Sequence, residues 1–359
     1  MNRRTFFMTP AVALGTTGGE PVRIGMAGLV HGHASGFFRR YLNNERIRIV
    51  GISEADPVVR RRYAEQFKLD PARLYTSHTE MMEQSKPQGV VVFTNTFDHL
   101  AVVEACAARK LPVMMEKPLA VGMDHARAME RTARKSGIPV LVNYETTWYR
   151  SNRAAWRIAR EQKAIGEIRK MVVHDGHRGP KEIGTPPEFF GWLNDPVKNG
   201  AGALFDFGCY GANLMTWLMD GQRPISVTAL TQRIKPEIYT RVEDEATVLV
   251  EYPRAQGIIQ ASWNWPFDRK DMEVYGQSGY VHTVRNDQLK VRLPGGQEEQ
   301  KTADPIPPPE DDFIAYFAAV VCGDIQPSGL SSLENNLVVT EILEAARRSA
   351  VAGKRIKLS

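Results

Sequence analysis

Three short stretches of the 359-residue chain hold the side chains that can do chemistry. Met115-Glu116-Lys117-Pro118 sets a lysine beside a carboxylate where an apolar run ends. The block Gly200-Ala-Gly202-Ala-Leu-Phe-Asp206-Phe-Gly208-Cys-Tyr210-Gly-Ala-Asn213 supplies a carboxylate, a phenol and an amide. If a helix begins at Gly208, Asp206 lies just before it, and Tyr210 and Asn213, three apart, share a face. A lysine ammonium can polarise and protonate a reacting oxygen. A tyrosine near it has its ionised form stabilised and can take a hydroxyl proton. This is equipment for moving a proton at a reacting oxygen, although Asp206 could equally be a helix cap and Tyr210 a core aromatic. The third stretch, Gly25-Met-Ala-Gly28-Leu-Val30-His31-Gly32-His33, follows an apolar run, where a dinucleotide fold holds its phosphates. Gly28 stands as the first glycine of GxGxxG. Val30 replaces the second and His33 the third, which leaves Gly32 for close backbone approach.

Further candidates surround these. Ser53-Glu54 ends the next apolar run, about 20 residues on, where a carboxylate accepts both adenosine ribose hydroxyls and repels a 2′-phosphate. That favours NAD over NADP. Thr94, Asn95 and His99 follow another apolar run and should face the same crevice as Glu116 and Lys117. Glu145 and Trp148 lie past the last such run, and His174, His177 and Arg178 past a later one, as candidates to hold a polar substrate. Trp263 and Trp265 could stack on a sugar ring or fill a core or a subunit contact. His31 and His33 sit on a loop with no carboxylate or cysteine near them in sequence. The expectation is that no metal is held.

These residues need two kinds of scaffold. Val22–Ala27, Arg46–Ser53, Gly89–Thr94, Pro112–Glu116 and Pro139–Asn143 are short apolar runs that suit strands covered on both faces. Between them, Asp56-Pro57 offers a cap and a first-turn proline, and helices are expected over Asp98–Lys110 and Asp124–Ser136, the latter closed by Gly137. Strand and helix alternate as in a doubly wound α/β Rossmann domain over residues 22–143. From 144 to 359 the rhythm changes. Helices are expected near Asn152–Gln162 and Gly208–Asp220, with strands at Glu167–Val173, 225–234, 245–253, 256–264, 271–276, 279–285 and 288–293. Alternation in Ala246-Thr247-Val248-Leu249-Val250-Glu251 implies one wet face. This half reads as an α+β domain with a large, open, mainly antiparallel sheet. A proline-rich loop at 305–309 precedes closing helices near 311–323 and 332–351.

Composition removes other classes. With 43% hydrophobic and 24% charged residues the chain matches globular averages, and no apolar run is long enough to span a bilayer. The net charge of +5 is scattered, and Arg60-Arg61-Arg62 reads as a solvated helix face, so nucleic acid is not an expected partner. Three widely spaced cysteines give neither a disulfide framework nor a structural zinc site. At the start, Asn2-Arg3-Arg4-Thr5-Phe6-Phe7 before a charge-free stretch resembles a twin-arginine export signal over residues 1–21. That implies a periplasmic protein, with a cytoplasmic one the alternative.

Taken together, Glu116-Lys117-Pro118 and the Asp206-x-Gly208-x-Tyr210-x-x-Asn213 block resemble the glucose–fructose oxidoreductase and inositol dehydrogenase family, Gfo/Idh/MocA, from about residue 22 to the end. The resemblance implies a nicotinamide-dependent oxidation of a sugar or polyol hydroxyl. Lys117 would lie at the nicotinamide and assist proton transfer, and Asp206 and Tyr210 would approach the substrate carbon and its hydroxyl. Oligomerisation through the open sheet is implied by the resemblance alone. The chain departs from the family after Asn143, where an Asn-Arg-Arg-Phe-like segment is replaced by Tyr144-Glu145-Thr146-Thr147-Trp148. Glu145 and the His174/His177 cluster keep a redox-assisted glycoside hydrolase or lyase with tightly bound NAD as an alternative. The altered glycine turn keeps a non-catalytic sugar-binding protein as another.

Overall fold

The computed structural model describes residues 20–358. The arginine pair expected to form an export signal lies outside them. The first sheet comprises β1 (Val22–Ala27), β2 (Ile47–Ser53), β3 (Leu74–Tyr75), β4 (Gly89–Val92), β5 (Val113–Glu116) and β6 (Val140–Asn143). Its order is β3-β2-β1-β4-β5-β6, and every pair is parallel. The order reverses between β1 and β4, so the carboxyl ends of these two strands open a crevice, the usual ligand position in such sheets. Burial explains the apolar runs: β4 and β5 are covered on both faces along their whole length. Asp56 caps helix Pro57–Phe67 through the amides of Val58 and Val59, and Gly137 closes helix Met123–Ser136 at φ 71°. The short β3 and helix His78–Ser85 carry too weak an apolar pattern to be read in advance.

The second sheet comprises β7 (Ile168–Gly176), β8 (Ser226–Gln232), β9 (Glu245–Glu251), β10 (Gln256–Ser262), β11 (Arg269–Gly276), β12 (Tyr280–Thr283), β13 (Gln288–Arg292), β14 (Glu299–Thr302) and β15 (Ile356–Lys357). The order is β14-β13-β12-β11-β7-β10-β9-β8-β15. Its pairs are antiparallel except β7 with β10, which run parallel at the centre. One face packs on helices Gly208–Leu218 and Leu333–Ala352. The other bears Leu230, Leu249 and Tyr275, all exposed.

Two departures bear on function. Strand β7 runs to Gly176 rather than ending at Val173, because its partners β10 and β11 both continue the register there. His174 and Asp175 therefore point to opposite faces of the sheet. And the closing helices do not stay with the second half of the chain. Helix Phe313–Cys322 returns to the first sheet, where Ile314 and Phe317 share a core with Ile24, Met26 and Phe37. Asp312 caps that helix and accepts the Tyr41 hydroxyl at 2.6 Å. Helix Leu333–Ala352 ties both halves: Glu344 accepts from the Met123 amide at 2.7 Å, and Arg347 donates to the carbonyls of Val121 and Gly200 at 3.2 and 2.8 Å. Among the described residues no helix is long and apolar enough to cross a membrane.

Candidate active site

Lys117 leaves the carboxyl end of β5 and points at the second sheet. Its ammonium donates to the carbonyl of Asp206 at 2.8 Å and pairs with the Asp206 carboxylate. Both side chains are buried. Burial alone would pull the lysine pKa down and push the aspartate up. Each charge overrides that penalty on the other, so the lysine ends above its ordinary value and the aspartate below. The second carboxylate oxygen of Asp206 accepts the Trp263 indole at 2.9 Å. Asp206 sits in its own turn, Ala203–Asp206, and does not cap the helix that follows. The capping role is thus set aside. Trp263 is wholly buried and holds Asp206 from the core, so no face of it is free to stack on a sugar.

Tyr210 stands one turn into helix Gly208–Leu218. Two ammonium groups lie over its ring, Lys117 at 5.1 Å and Lys270 at 4.7 Å from the centroid. This differs from the expectation that a lysine stabilises the phenolate. Burial, followed by the negative charge of Glu145, pushes the Tyr210 pKa well above its ordinary value. The cations face the ring rather than the hydroxyl, so Tyr210 is a proton donor and hydrogen-bonding group in this state. The Tyr144 ring meets it edge-on at 5.5 Å.

Two residues that local sequence does not mark complete the group. Lys270 on β11 is the register partner of Asp175 on β7, and it pairs with Glu145. Asp175 is fully buried with neither carboxylate oxygen bonded, and burial raises its pKa well above the ordinary range. Burial thus favours its protonated form, and it has hydrogen-bonding capacity to spare. Period-two reading carried three residues past Val173 would have put Asp175 on the inner face with Met171 and Val173. Lys270 sits in a polar run with no local signal; only strand pairing brings it in.

The other candidates divide. Glu145 pairs with Lys270 and accepts the Tyr149 hydroxyl at 2.7 Å. Trp148 donates to Asn143 at 2.9 Å, and both line a cavity of about 560 Å³ with His33, Glu116 and Glu145. His177 lies edge-on to Phe207 at 4.8 Å, beside the Lys117 group. Three substrate candidates are placed elsewhere. His174 is on the outer face, bonded to Asp271 at 3.0 Å. Arg178 is exposed, and its carbonyl accepts from Lys235 at 2.8 Å. Asn213 is turned into the carboxyl-terminal segment, donating to the Leu330 carbonyl at 2.8 Å. Helix geometry makes it share a face with Tyr210, but the packed helix Leu333–Ala352 claims that end.

Along the first sheet, Gly28 turns at φ 83°, where a Cβ would lie 2.8 Å from the Thr94 amide. The turn needs glycine. Glu54 accepts from the Leu29 amide at 2.7 Å and the Asp56 amide at 2.9 Å, which fixes its carboxylate behind the turn. Helix Ala34–Tyr41 has no side-chain cap, and while the Ala34 amide donates to the His31 carbonyl at 3.0 Å, the amides of Ser35 and Gly36 are open to an anion. Asn95 bonds Asp98, and His99 is buried under Leu119, with Nδ1 3.2 Å from its carbonyl. Buried atoms without a partner mark this edge: His31 Nε2, Thr96 Oγ1 and His99 Nε2. These features fit a dinucleotide. The fit is narrowest at Gly32, where Phe189 sits 2.9 Å from a would-be Cβ, and at Val30, whose carbonyl accepts from Trp192 at 3.2 Å. One expectation about this turn is corrected. His31 and His33 do have a carboxylate beside them, because Glu116 at the end of β5 lies 3.0 Å from His33 Nδ1.

Comparison with known proteins agrees with this picture. The sequence profile of the oxidoreductase family with an NAD-binding Rossmann fold, GFO_IDH_MocA, matches residues 22–144, and that of the GFO/IDH/MocA C-terminal domain matches 153–282. The chain is 26% identical over 226 residues to trans-1,2-dihydrobenzene-1,2-diol dehydrogenase of Sus scrofa, covering 62% of this chain and 61% of that one. It is 24% identical over 259 residues to D-apiose dehydrogenase of Rhizobium rhizogenes, 69% of each. The match thus spans about 60% of the length of the dihydrodiol dehydrogenase. Among solved structures, an inositol dehydrogenase homolog from Azotobacter vinelandii complexed with NAD+ superposes with a TM-score of 0.81 at 21% identity, covering 94% of this chain and 98% of that one. Aldose-aldose oxidoreductase from Caulobacter crescentus, complexed with glycerol, gives 0.80 at 21%, covering 94% and 100%. Likeness at that identity speaks for the fold.

Proposed function

We propose, from the premise that the chain belongs to the Gfo/Idh/MocA family of NAD-binding oxidoreductases, that it oxidises a ring or chain hydroxyl of a sugar, polyol or cyclic diol. One observation carries this reading: the buried Lys117–Asp206 pair, set against Tyr210 where the first sheet's carboxyl ends meet the second sheet. NAD, when bound, supplies the hydride acceptor. Gly28, the open amides of helix Ala34–Tyr41, and Glu54 would hold it, with Thr94 behind the turn. As the hydride leaves the carbon, Lys117 takes up the hydroxyl proton and passes one of its own to the Asp206 carboxylate with which it is paired. Asp206 keeps Lys117 charged and aimed. Tyr210 and Asp175 donate hydrogen bonds to neighbouring hydroxyls, and the aromatic wall of Tyr144 and Phe207 excludes water.

A second reading is favoured by Asp175, Glu145 and Lys270 together. A buried carboxyl group with no partner and a paired carboxylate beside the Lys117 group exceed what alcohol oxidation requires. They suit a glycoside hydrolase or lyase in which a retained NAD oxidises the sugar transiently. The open face of the second sheet, with Leu230, Leu249 and Tyr275 exposed, supports a homo-oligomer. Arg3-Arg4 supports twin-arginine export to the periplasm, which fractionation of cells making the full chain would test.

The deciding experiment is to denature the purified protein and measure released NAD(H) by absorbance and mass, then to assay free sugars and glycosides. Stoichiometric NAD(H) with turnover of glycosides alone selects the second reading, and turnover of free sugars or polyols selects the first. If no cofactor is released and neither NAD nor NADP binds at millimolar concentration, both readings fall.

A further inference from the structure

We propose that the chain holds one divalent transition-metal ion between His31, His33 and Glu116, at the carboxyl ends of β1 and β5, with open coordination positions toward the adjoining cavity. One ring nitrogen of each histidine and one Glu116 oxygen all lie within 4.8 Å of one another. His33 Nδ1 and Glu116 Oε2 are 3.0 Å apart. Two ligands held at about 2.0–2.2 Å by a common ion stand roughly 3.0–3.4 Å from each other, so an ion can enter with little movement.

Three further observations point to an ion rather than to a plain ion pair. The His31 side chain is buried; its Nδ1 accepts from the His33 amide at 3.2 Å, and its Nε2 has no partner. Its ring is fixed by Phe189 at 4.9 Å and Trp192 at 5.6 Å, which leaves it little freedom to find one elsewhere. Glu116 is oriented as metal-binding carboxylates are: Oε1 accepts from Asn143 at 2.9 Å, Trp148 holds Asn143 in turn at 2.9 Å, and Oε2 is left toward the histidines. Finally, the neighbouring cation does not compete, because Lys117 is neutralised by Asp206.

Two imidazoles and one carboxylate with vacant positions suit zinc, iron, cobalt or manganese in the divalent state. His33 and Glu116 line the cavity of about 560 Å³ together with Asn143, Glu145 and Trp148. Gly32, Ser35 and Gly36 line it too, where the cofactor phosphates are placed, so an ion there would meet and polarise an oxygen of the ligand bound in that space. A second group, His174, Asp271 and Glu273, also converges, but Asp271 is already bonded by Arg269, which makes it a poor site and a useful control.

The test is to strip the full chain with a chelator and titrate it with Zn²⁺ by calorimetry and with Co²⁺ by visible absorbance. One ion per chain is expected, at about micromolar Kd or tighter. His33→Gln and Glu116→Gln should each abolish the saturable phase, and Asn143→Ala should weaken it about 10- to 100-fold. His33 is half exposed, so its replacement leaves the fold intact, which a melting curve checks. His174→Gln should change nothing. No saturable uptake of either ion overturns the proposal, as does uptake that survives both His33→Gln and Glu116→Gln or is lost in His174→Gln. The NAD-release experiment is run on the unsubstituted chain before any metal is stripped or added, so the two readings fail separately.

Discussion

At the scale of the residue, the site is built on charges that survive burial only in company. Removing one member of a buried ion pair costs about 3–5 kcal/mol, whereas replacing both by apolar groups is often neutral. Lys117→Met should therefore melt well below the wild type, and Lys117→Met with Asp206→Leu should regain most of the loss while remaining inactive. Calorimetry beside a turnover assay checks both halves; a double variant no more stable than the single one would count against the pair. His99 gives the pH counterpart. It is held neutral by burial, with its pKa lowered from 6.5 to about 4, against a weak pull upward from the Leu119 carbonyl. The unfolded chain then binds more protons than the folded one between those values. The contribution is complete above pH 6.5 and is lost as the pH falls toward about 4, to the order of 3 kcal/mol. Melting temperatures taken across that window should fall with acid in the wild type and less steeply in His99→Gln.

At the scale of the element, the glycine turn after β1 departs from the GxGxxG pattern and is tightly packed. Gly28 has both a positive φ and a would-be Cβ 2.6 Å from Thr94 Cγ2. Gly28→Ala should lower the melting temperature and weaken NAD binding together, read by thermal scans and by cofactor retention. Unchanged retention would place the cofactor elsewhere. Helix Pro187–Leu193, which brings Phe189 and Trp192 onto His31, is an element of the second half that finishes a loop of the first. Arg62 on the first domain pairs with Glu188 in that helix and holds the two in place.

At the scale of the molecule, the nine-stranded sheet has one face covered by helices and one face bare. Leu230 and Leu249 are exposed on neighbouring strands, and apolar patches of that kind mark association surfaces. Leu230→Glu with Leu249→Glu should shift the native mass toward the monomer in light scattering while leaving the circular dichroism spectrum unchanged. A wild type that is already monomeric would remove the oligomer from the account. Helices Phe313–Cys322 and Leu333–Ala352 cross from one half to the other, so the halves are stitched together at their carboxyl end as well as through the site.

The sequence by itself was enough for the two architectures and the parallel strands of the first half, and its family resemblance singled out Lys117, Asp206 and Tyr210. Apolar periodicity reports burial on one face or both, and short motifs sit at strand ends wherever such sheets bind ligands. It did not contain the pairing register. Only the assembled second sheet puts Lys270 opposite Asp175, sends His174 to the far face and lets Trp263 reach Asp206. Only the strand order β1-β4-β5 in the first sheet brings Glu116 to His33, more than 80 positions away in the chain. The phenol was legible and its ionisation was not, because a pKa depends on every charge and on the depth of burial around the group, and those exist only after the chain has closed.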